Sequence, residues 1–480
     1  MLKISNPDLN AATSNMCAIL ERQKRAHLAH GPLSLDERTE WIGRLIALLV
    51  NNSDAIADTI SMDFGNRTRE LSLLGDVAGS IGSLKYARAH LEEWMQPAIH
   101  DGGFPDAKAS VEYTPVGVVG VLSPWNFPVN LTFAPLASII AAGNRAMIKP
   151  SELTPRTSLL IARLIGEAFD ESEIAVVLGD TEVAVEFSKL RFDHMLYTGS
   201  TSVGRQVMRA AADELVPVTL ELGGKCPVIV SATAPIADAA ARIMTIKTLN
   251  AGQICLAPDY AMLPEEHVEP FVTAARLATS AMFPTLLDNP DYTSIINERH
   301  ELRLRGLLED AKARGARVVE INPARETFGA HRLGYRMAPA LVVDPPADCK
   351  LLADEIFGPI LPILTYKTVG DAIAYVNGRE RPLALYYFGT DAAEERHVLD
   401  RTQSGGVTVN DIMAHALCES LPFGGVGASG IGAYHGKSGF INFSHARAIF
   451  HQSKAPEAEY ALRAPFGEPT RQYLALAISK

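Results

Sequence analysis

Between residues 116 and 222, short apolar, β-branched runs alternate with stretches of helical periodicity, and this alternation admits few architectures. Segments 116–122, 145–148, 175–178, 194–198 and 218–222 read as strands, and 134–142, 157–169, 182–190 and 203–213 as the helices between them. Strands alternating with helices of about ten residues make parallel βαβ units in an open sheet covered on both faces. Such α/β sheets bind ligands beyond the carboxyl ends of their strands. The polar and Gly-rich residues of this stretch cluster at those ends, although turn chemistry alone also calls for Gly, Pro, Ser and Asp there.

The first hundred residues read as helices. Ser34 and Glu37 form a capping box, and Trp41, Leu45, Leu48 and Leu49 then share one face. A second α/β region follows Lys225, with helices expected at 237–249 and 268–281 and a Pro-rich loop at 344–348. At 480 residues the chain exceeds one ordinary core, so two or three domains are expected. Its net charge of −11 argues against a nucleic-acid surface, which needs clustered Lys and Arg. The five cysteines are scattered, with no C-x-x-C pair, which suits reduced thiols rather than disulfides or zinc. No signal-peptide core, prenylation motif or apolar run of about 20 residues is visible, so a cytoplasmic enzyme free of the membrane is expected.

Two Gly-rich strings are discounted. Gly199-Ser-Thr-Ser-Val-Gly204 has P-loop spacing but continues with Arg205-Gln206 where Lys-Ser/Thr is required. Gly425-Val-Gly427-Ala-Ser-Gly430 matches G-x-G-x-x-G, but very late and without a βαβ unit around it. The stronger signal is Asn250-Ala-Gly-Gln-Ile-Cys255, where a Gly-Gln turn places a thiol and its amide for exposure. A lone cysteine is usually a small buried hydrophobe, and that reading stands for Cys17, Cys226, Cys349 and Cys418. Cys255 has company. Glu221 ends an apolar strand, where burial would raise its pKa and suit it to general-base work. Asn126 follows the first strand and could donate to an oxyanion, and Lys149 ends the second.

These strings resemble the aldehyde dehydrogenase superfamily in its NAD(P)-dependent, non-phosphorylating form, in order from about residue 110 to 445. They are Pro124-Trp-Asn-Phe-Pro128, Lys149-Pro-Ser-Glu152, Gly199 to Gly204, Glu221-Leu-Gly-Gly224, Gly252-Gln-Ile-Cys255, Glu355-Ile-Phe-Gly-Pro359 and Pro422-Phe-Gly-Gly425. The short N-terminus and the run from Pro422 to Phe443 are most similar to the class 3 branch, and within it to coniferyl aldehyde dehydrogenases. Unlike that branch's fatty aldehyde members, no hydrophobic C-terminal anchor is expected for this chain.

The resemblance implies an α/β fold: an open Rossmann-type coenzyme domain (1–102 and 117–223), a catalytic domain (224–430), and a small β extension (103–116 and 440–480) that makes a homodimer. It implies Cys255 as nucleophile, Asn126 as oxyanion donor and Glu221 as the base that hydrolyses a thioester. The implied coenzyme site comprises Ser123, Trp125, Lys149, Ser151, Glu152, Gly199, Ser200, Val203, Gly204, Leu222, Gly223, Glu355 and Phe357. Lys149 and Glu152 would meet the adenosine ribose, Glu355 the nicotinamide ribose, and Gly199 to Gly204 the pyrophosphate at a helix N-terminus. The Glu152 charge would repel a 2′-phosphate, so NAD is expected over NADP, though class 3 members with this string use either. The expected substrate is a bulky apolar or aromatic aldehyde such as coniferaldehyde, with broad aldehyde scavenging the alternative. No metal is expected. A coenzyme A-acylating dehydrogenase needs no water-activating base, so Glu221 counts against it. A coenzyme-independent esterase would reveal itself by activity without NAD. An inactive binding protein on this fold would have lost Cys255 or Glu221.

Overall fold

The computed structural model describes residues 7–103, 106–328, 334–454 and 464–479. Residues 1–6, 104–105, 329–333, 455–463 and 480 lie outside the described residues, and with them parts of each expected domain. Two α/β layers and a small antiparallel sheet make up the rest. The first large sheet has six strands in the order Gly430–Ile431, Val218–Leu222, His194–Gly199, Val118–Leu122, Arg145–Lys149, Ile174–Val176. All its pairings are parallel except that of Gly430–Ile431, which runs antiparallel to Val218–Leu222. The chain order therefore reverses between Val118–Leu122 and His194–Gly199. That switch point opens a crevice beyond the carboxyl ends of these two strands.

The second sheet has seven strands in the order Arg317–Glu320, Ala340–Val343, Ile360–Tyr366, Tyr260–Pro264, Pro227–Val230, Ala384–Phe388, Gly406–Val409. Only Arg317–Glu320, at one edge, is antiparallel to its neighbour. The inner strands are buried on both faces, which is why they read as continuous apolar runs rather than alternating ones. Helices cover the sheets. Leu35–Asn51 begins with Ser34 and Glu37 as a reciprocal cap and buries Trp41, Leu45, Leu48 and Leu49. Asn130–Ala141 is buried almost all round. It starts four residues before the expected 134, so Pro135 lies inside it rather than near its first turn.

The third sheet joins Ala98–Asp101, Lys108–Pro115 and Ser444–His451 in antiparallel register. Its first strand falls in the stretch read as helical. Pro97 follows the helix Gly79–Trp94, and the four exposed residues after it show no alternation that would mark a strand. Among the described residues no helix is long and apolar enough to cross a membrane.

Candidate active site

The helix Ile236–Thr248 runs into a 3-10 turn, Leu249–Gly252, whose last three residues are left-handed: Asn250 at φ 49°, Ala251 at φ 51° and Gly252 at φ 72°. Left-handed backbone at a non-glycine residue costs of order 1–3 kcal/mol and persists only where the surroundings over-determine it. Gln253 supplies that constraint. Its buried side chain donates to the Asn250 carbonyl (2.9 Å) and the Ser294 carbonyl (3.0 Å) and accepts from the Ile296 amide (2.9 Å). Any Cβ at Gly252 would overlap the Gly358 carbonyl, so glycine is required there.

The turn delivers Cys255 half-buried, with the backbone N–H groups of Cys255 and Leu256 favouring its thiolate form. The Tyr386 hydroxyl donates to the Leu256 carbonyl (2.7 Å), and the Cys226 thiol to the Cys255 carbonyl (3.4 Å). Burial pushes the Cys255 thiol up to about 12, with the Glu355 and Glu221 carboxylates adding and the two amides opposing. At rest Cys255 is thus a thiol.

Glu221 sits in the edge region of the six-stranded sheet, paired with Thr198 on one side and Gly430 on the other. It is buried, and neither carboxylate oxygen has a hydrogen-bond partner. Burial raises its pKa well above the ordinary carboxylate range. Cys255 and Glu221 share a neighbourhood: the fields of both reach Tyr434, a buried phenol that burial keeps protonated. The late Gly-rich string explains itself here. Gly425 to Gly430 is a tight turn, closed by Ser429 Oγ on the Val426 amide (2.9 Å), and the Ser429 carbonyl accepts from the Leu222 amide (3.0 Å). It seals the sheet beside Glu221.

Asn126 is buried at the carboxyl end of Val118–Leu122, and its Nδ2 donates to the Gln253 carbonyl (3.2 Å). Asn250 Nδ2 donates to that same carbonyl (3.2 Å) and to the Asn126 carbonyl (3.1 Å). One amide network therefore holds the Cys255 turn against the Asn126 loop.

The remaining expected residues lie at strand ends and on the loops and helix that follow them. Lys149 Nζ, buried, donates to the Pro150 carbonyl (3.1 Å) and to Glu152 (3.2 Å), and the other Glu152 oxygen accepts from Thr181 Oγ1 (3.2 Å). Burial pulls Glu152 upward, but a backbone amide, Lys149 and Thr181 outweigh it and hold the carboxyl below its usual range. The Ser151 hydroxyl closes its own turn on the Leu153 amide (3.2 Å). Gly199 ends its strand, and Ser200 is the N-cap of the helix Thr201–Asp213, with no side chain closing that terminus. Val203 is exposed on that helix, and Gly204 packs so tightly on Leu222 that a Cβ would stand 2.6 Å from Leu222 Cδ2. A Cβ at Gly223 would collide with the Glu355 carboxylate. Trp125 packs between Phe357 (centroids 5.4 Å apart) and His300 (5.3 Å).

A nicotinamide dinucleotide suits these residues. Buried hydroxyls of Ser123 and Thr198 lack any partner at the switch point, the helix N-terminus is uncapped, and glycines leave room for close backbone approach. Burial and the Asp259 charge raise Glu355 to about 8, against the Gly224 amide, Lys225 and Lys247. Its loop is braced by Lys225, which pairs with Asp259 and donates to the carbonyls of Leu351 (2.9 Å) and Asp354 (3.0 Å).

Sequence reading did not single out Gln253, Thr198, Tyr386, Tyr434, or the buried pair Arg67 and Asp76. The Gly-Gln turn was the one available signal for Gln253. Arg67 and Asp76 lie in a stretch read only as helical; Arg67 meets the Asn126 carbonyl and Asp76 holds Arg67, both through tertiary contacts.

Residues 9–449 match the aldehyde dehydrogenase family. The chain is 56% identical over 460 residues to a "Coniferyl aldehyde dehydrogenase" of a Pseudomonas species, covering 96% of this chain and 95% of that one. It is 55% identical over 483 residues to a "Probable coniferyl aldehyde dehydrogenase" of Caulobacter vibrioides, covering 99% of each. Its fold is similar to the substrate-bound AldH of Staphylococcus aureus, with a TM-score of 0.89 and 35% identity over 96% of this chain and 99% of that one. The chain belongs to the aldehyde dehydrogenase family and is an NAD(P)-dependent aldehyde oxidoreductase.

Proposed function

We propose that the chain oxidises a bulky apolar or aromatic aldehyde, such as coniferaldehyde, to its carboxylic acid through a thioester on Cys255. The Cys255 thiol first gives up its proton to solvent; the thiolate attacks the carbonyl carbon, and the oxygen of the resulting thiohemiacetal is stabilised by the Asn126 amide and the Cys255 N–H. When bound, the nicotinamide coenzyme accepts the hydride. What remains on Cys255 is a thioester. Glu221 then takes a proton from a water that attacks the thioester carbon, and collapse of the adduct releases the acid and returns the thiolate. The carrying observation is Glu221: a buried carboxylate with both oxygens unpartnered, close enough to Cys255 for its charge to raise the thiol's pKa.

An aromatic group supports the substrate class. Phe423 stacks on His435 (5.1 Å) and meets Tyr434 edge-on (5.4 Å), the same Tyr434 that feels Cys255 and Glu221. The names of the two bacterial relatives point the same way. The ionised Glu152 beside Lys149 favours a free ribose hydroxyl over a 2′-phosphate, hence NAD. The six-stranded sheet would be the coenzyme domain and the seven-stranded sheet the catalytic one. The small sheet, whose Ala98–Asp101 edge is exposed, would pair two copies.

The test mixes purified protein with NAD and aldehyde and follows NADH absorbance beside Cys255→Ala. Reduction with wild type alone supports the chemistry. Coniferaldehyde should exceed acetaldehyde and medium-chain aldehydes in kcat/KM, and equal values would favour a broad scavenger. Formation of acyl-coenzyme A instead of free acid when coenzyme A is present would favour the acylating reaction.

A further inference from the structure

Arg67 follows the helix Ser53–Phe64, and its guanidinium is fully buried. One terminal nitrogen donates to the Asn126 carbonyl (2.9 Å) and the other to Asp76 (2.7 Å), while the group lies over the Phe127 ring at 4.5 Å. Asp76 is equally buried, and its other oxygen accepts the amides of Val129 (2.9 Å) and Asn130 (3.0 Å). It sits in a π-helical turn, Ser72–Ala78, of the kind that inserts one residue into a helix and recurs at functional sites. That turn presses on the same loop. A Cβ at Gly75 would stand 2.9 Å from the Phe127 ring, and one at Gly79 2.7 Å from the Asn130 side-chain nitrogen, Nδ2.

A buried ion pair is poor evidence of stability, because apolar residues of similar volume usually do as well or better. Arg67 also keeps its Nε buried without a partner, so full hydrogen-bond satisfaction does not account for it either. What the pair achieves is placement. The Asn126 carbonyl is gripped from one side by Arg67 and from the other by Asn250 (3.1 Å). This fixes the peptide from which the Asn126 side chain reaches the Gln253 carbonyl (3.2 Å) and the nucleophile turn.

We propose that Arg67, held by Asp76, is a positioning residue that sets the Asn126 amide in its oxyanion-binding pose. The proposal rests on the reading of Asn126 as oxyanion donor. The planar fork of arginine suits two partners in different directions, whereas a lysine ammonium is a point charge with no such plane.

The test measures the single-turnover rate of NADH formation, the Kd for NAD and the thermal midpoint in four variants. Arg67→Met/Asp76→Asn removes both charges but keeps an acceptor for the Val129 and Asn130 amides. It should fold with NAD Kd within about twofold of wild type and lose at least about tenfold in single-turnover rate, a modest share of what one oxyanion donor provides. Asn126→Ala should lose about 10²–10³-fold. The triple variant should be no slower than Asn126→Ala, because residues acting through one group are not additive. Multiplicative losses, or a full rate in the charge-free pair, would overturn the proposal. Arg67→Lys keeps the charge beside Asp76 and so guards against a fold that fails when both charges go. It should be slowed at least about fivefold, and a full rate in it would also overturn the proposal. Full activity in Asn126→Ala would instead sink the oxyanion assignment on which the proposal stands.

Discussion

Replacing Glu221 by glutamine should separate the two halves of the reaction. The carboxylate is 3% exposed with both oxygens unpartnered, so an isosteric neutral amide fits without breaking any hydrogen bond. Loss of a general base costs about 10²–10⁴-fold, or about 3–5 kcal/mol of barrier at 1.36 kcal/mol per decade. That loss belongs to thioester hydrolysis, not to attack or hydride loss. A stopped-flow trace of Glu221→Gln should therefore show a burst of about one NADH per site at a rate close to wild type, as an accumulating acyl-enzyme requires. Steady turnover should then fall by the factor above. Stability follows the same group. A carboxyl whose folded pKa is raised contributes stability that is full below its unfolded pKa and is lost as pH rises through the folded one. Wild type should thus lose thermal stability from the ordinary carboxylate range upward, and the midpoint advantage of Glu221→Gln should grow as pH rises above that range. Undiminished steady turnover, or a missing burst with NAD still bound, would refute the reasoning.

With no coenzyme present, alkylation of Cys255 by iodoacetamide should rise about tenfold per pH unit from 7 to 9, because the thiol is held near 12; a plateau there would contradict this. Gly223→Ala drives a methyl into the Glu355 carboxylate and should raise KM for NAD at least about tenfold, as misplacement of binding groups does, measured against an unchanged thermal midpoint. If Glu152 faces the 2′ position as proposed, Glu152→Gln should raise the NADP-to-NAD ratio of kcat/KM about fivefold, one such charge contact being of order 1 kcal/mol.

The five parallel strands of the six-stranded sheet were legible within a residue or two, because burial on both faces forces short apolar, β-branched runs between turn residues; the two-residue strand Gly430–Ile431 was not, being too short to show a pattern. The capping box and buried face of Leu35–Asn51 were legible too, being local chemistry. Ala98–Asp101 was not. A short exposed strand has no face to bury and so carries no alternation. The strain at Asn250 and Ala251 was equally hidden, since neither residue type demands a left-handed backbone; Gln253 imposes it through bonds to Ser294 and Ile296. Arg67 stands 59 positions from the Asn126 carbonyl it holds, and its pairing depends on a π-turn with no sequence mark.

The central claim is that an acyl group passes through Cys255, and peptide mapping of trapped enzyme tests it most directly. Glu221→Gln mixed with NAD and coniferaldehyde, quenched in acid after the NADH burst and digested, should carry the acyl mass on the peptide containing Cys255. NADH formation with no adduct, or with the adduct on Cys226 or Cys418 instead, would contradict it.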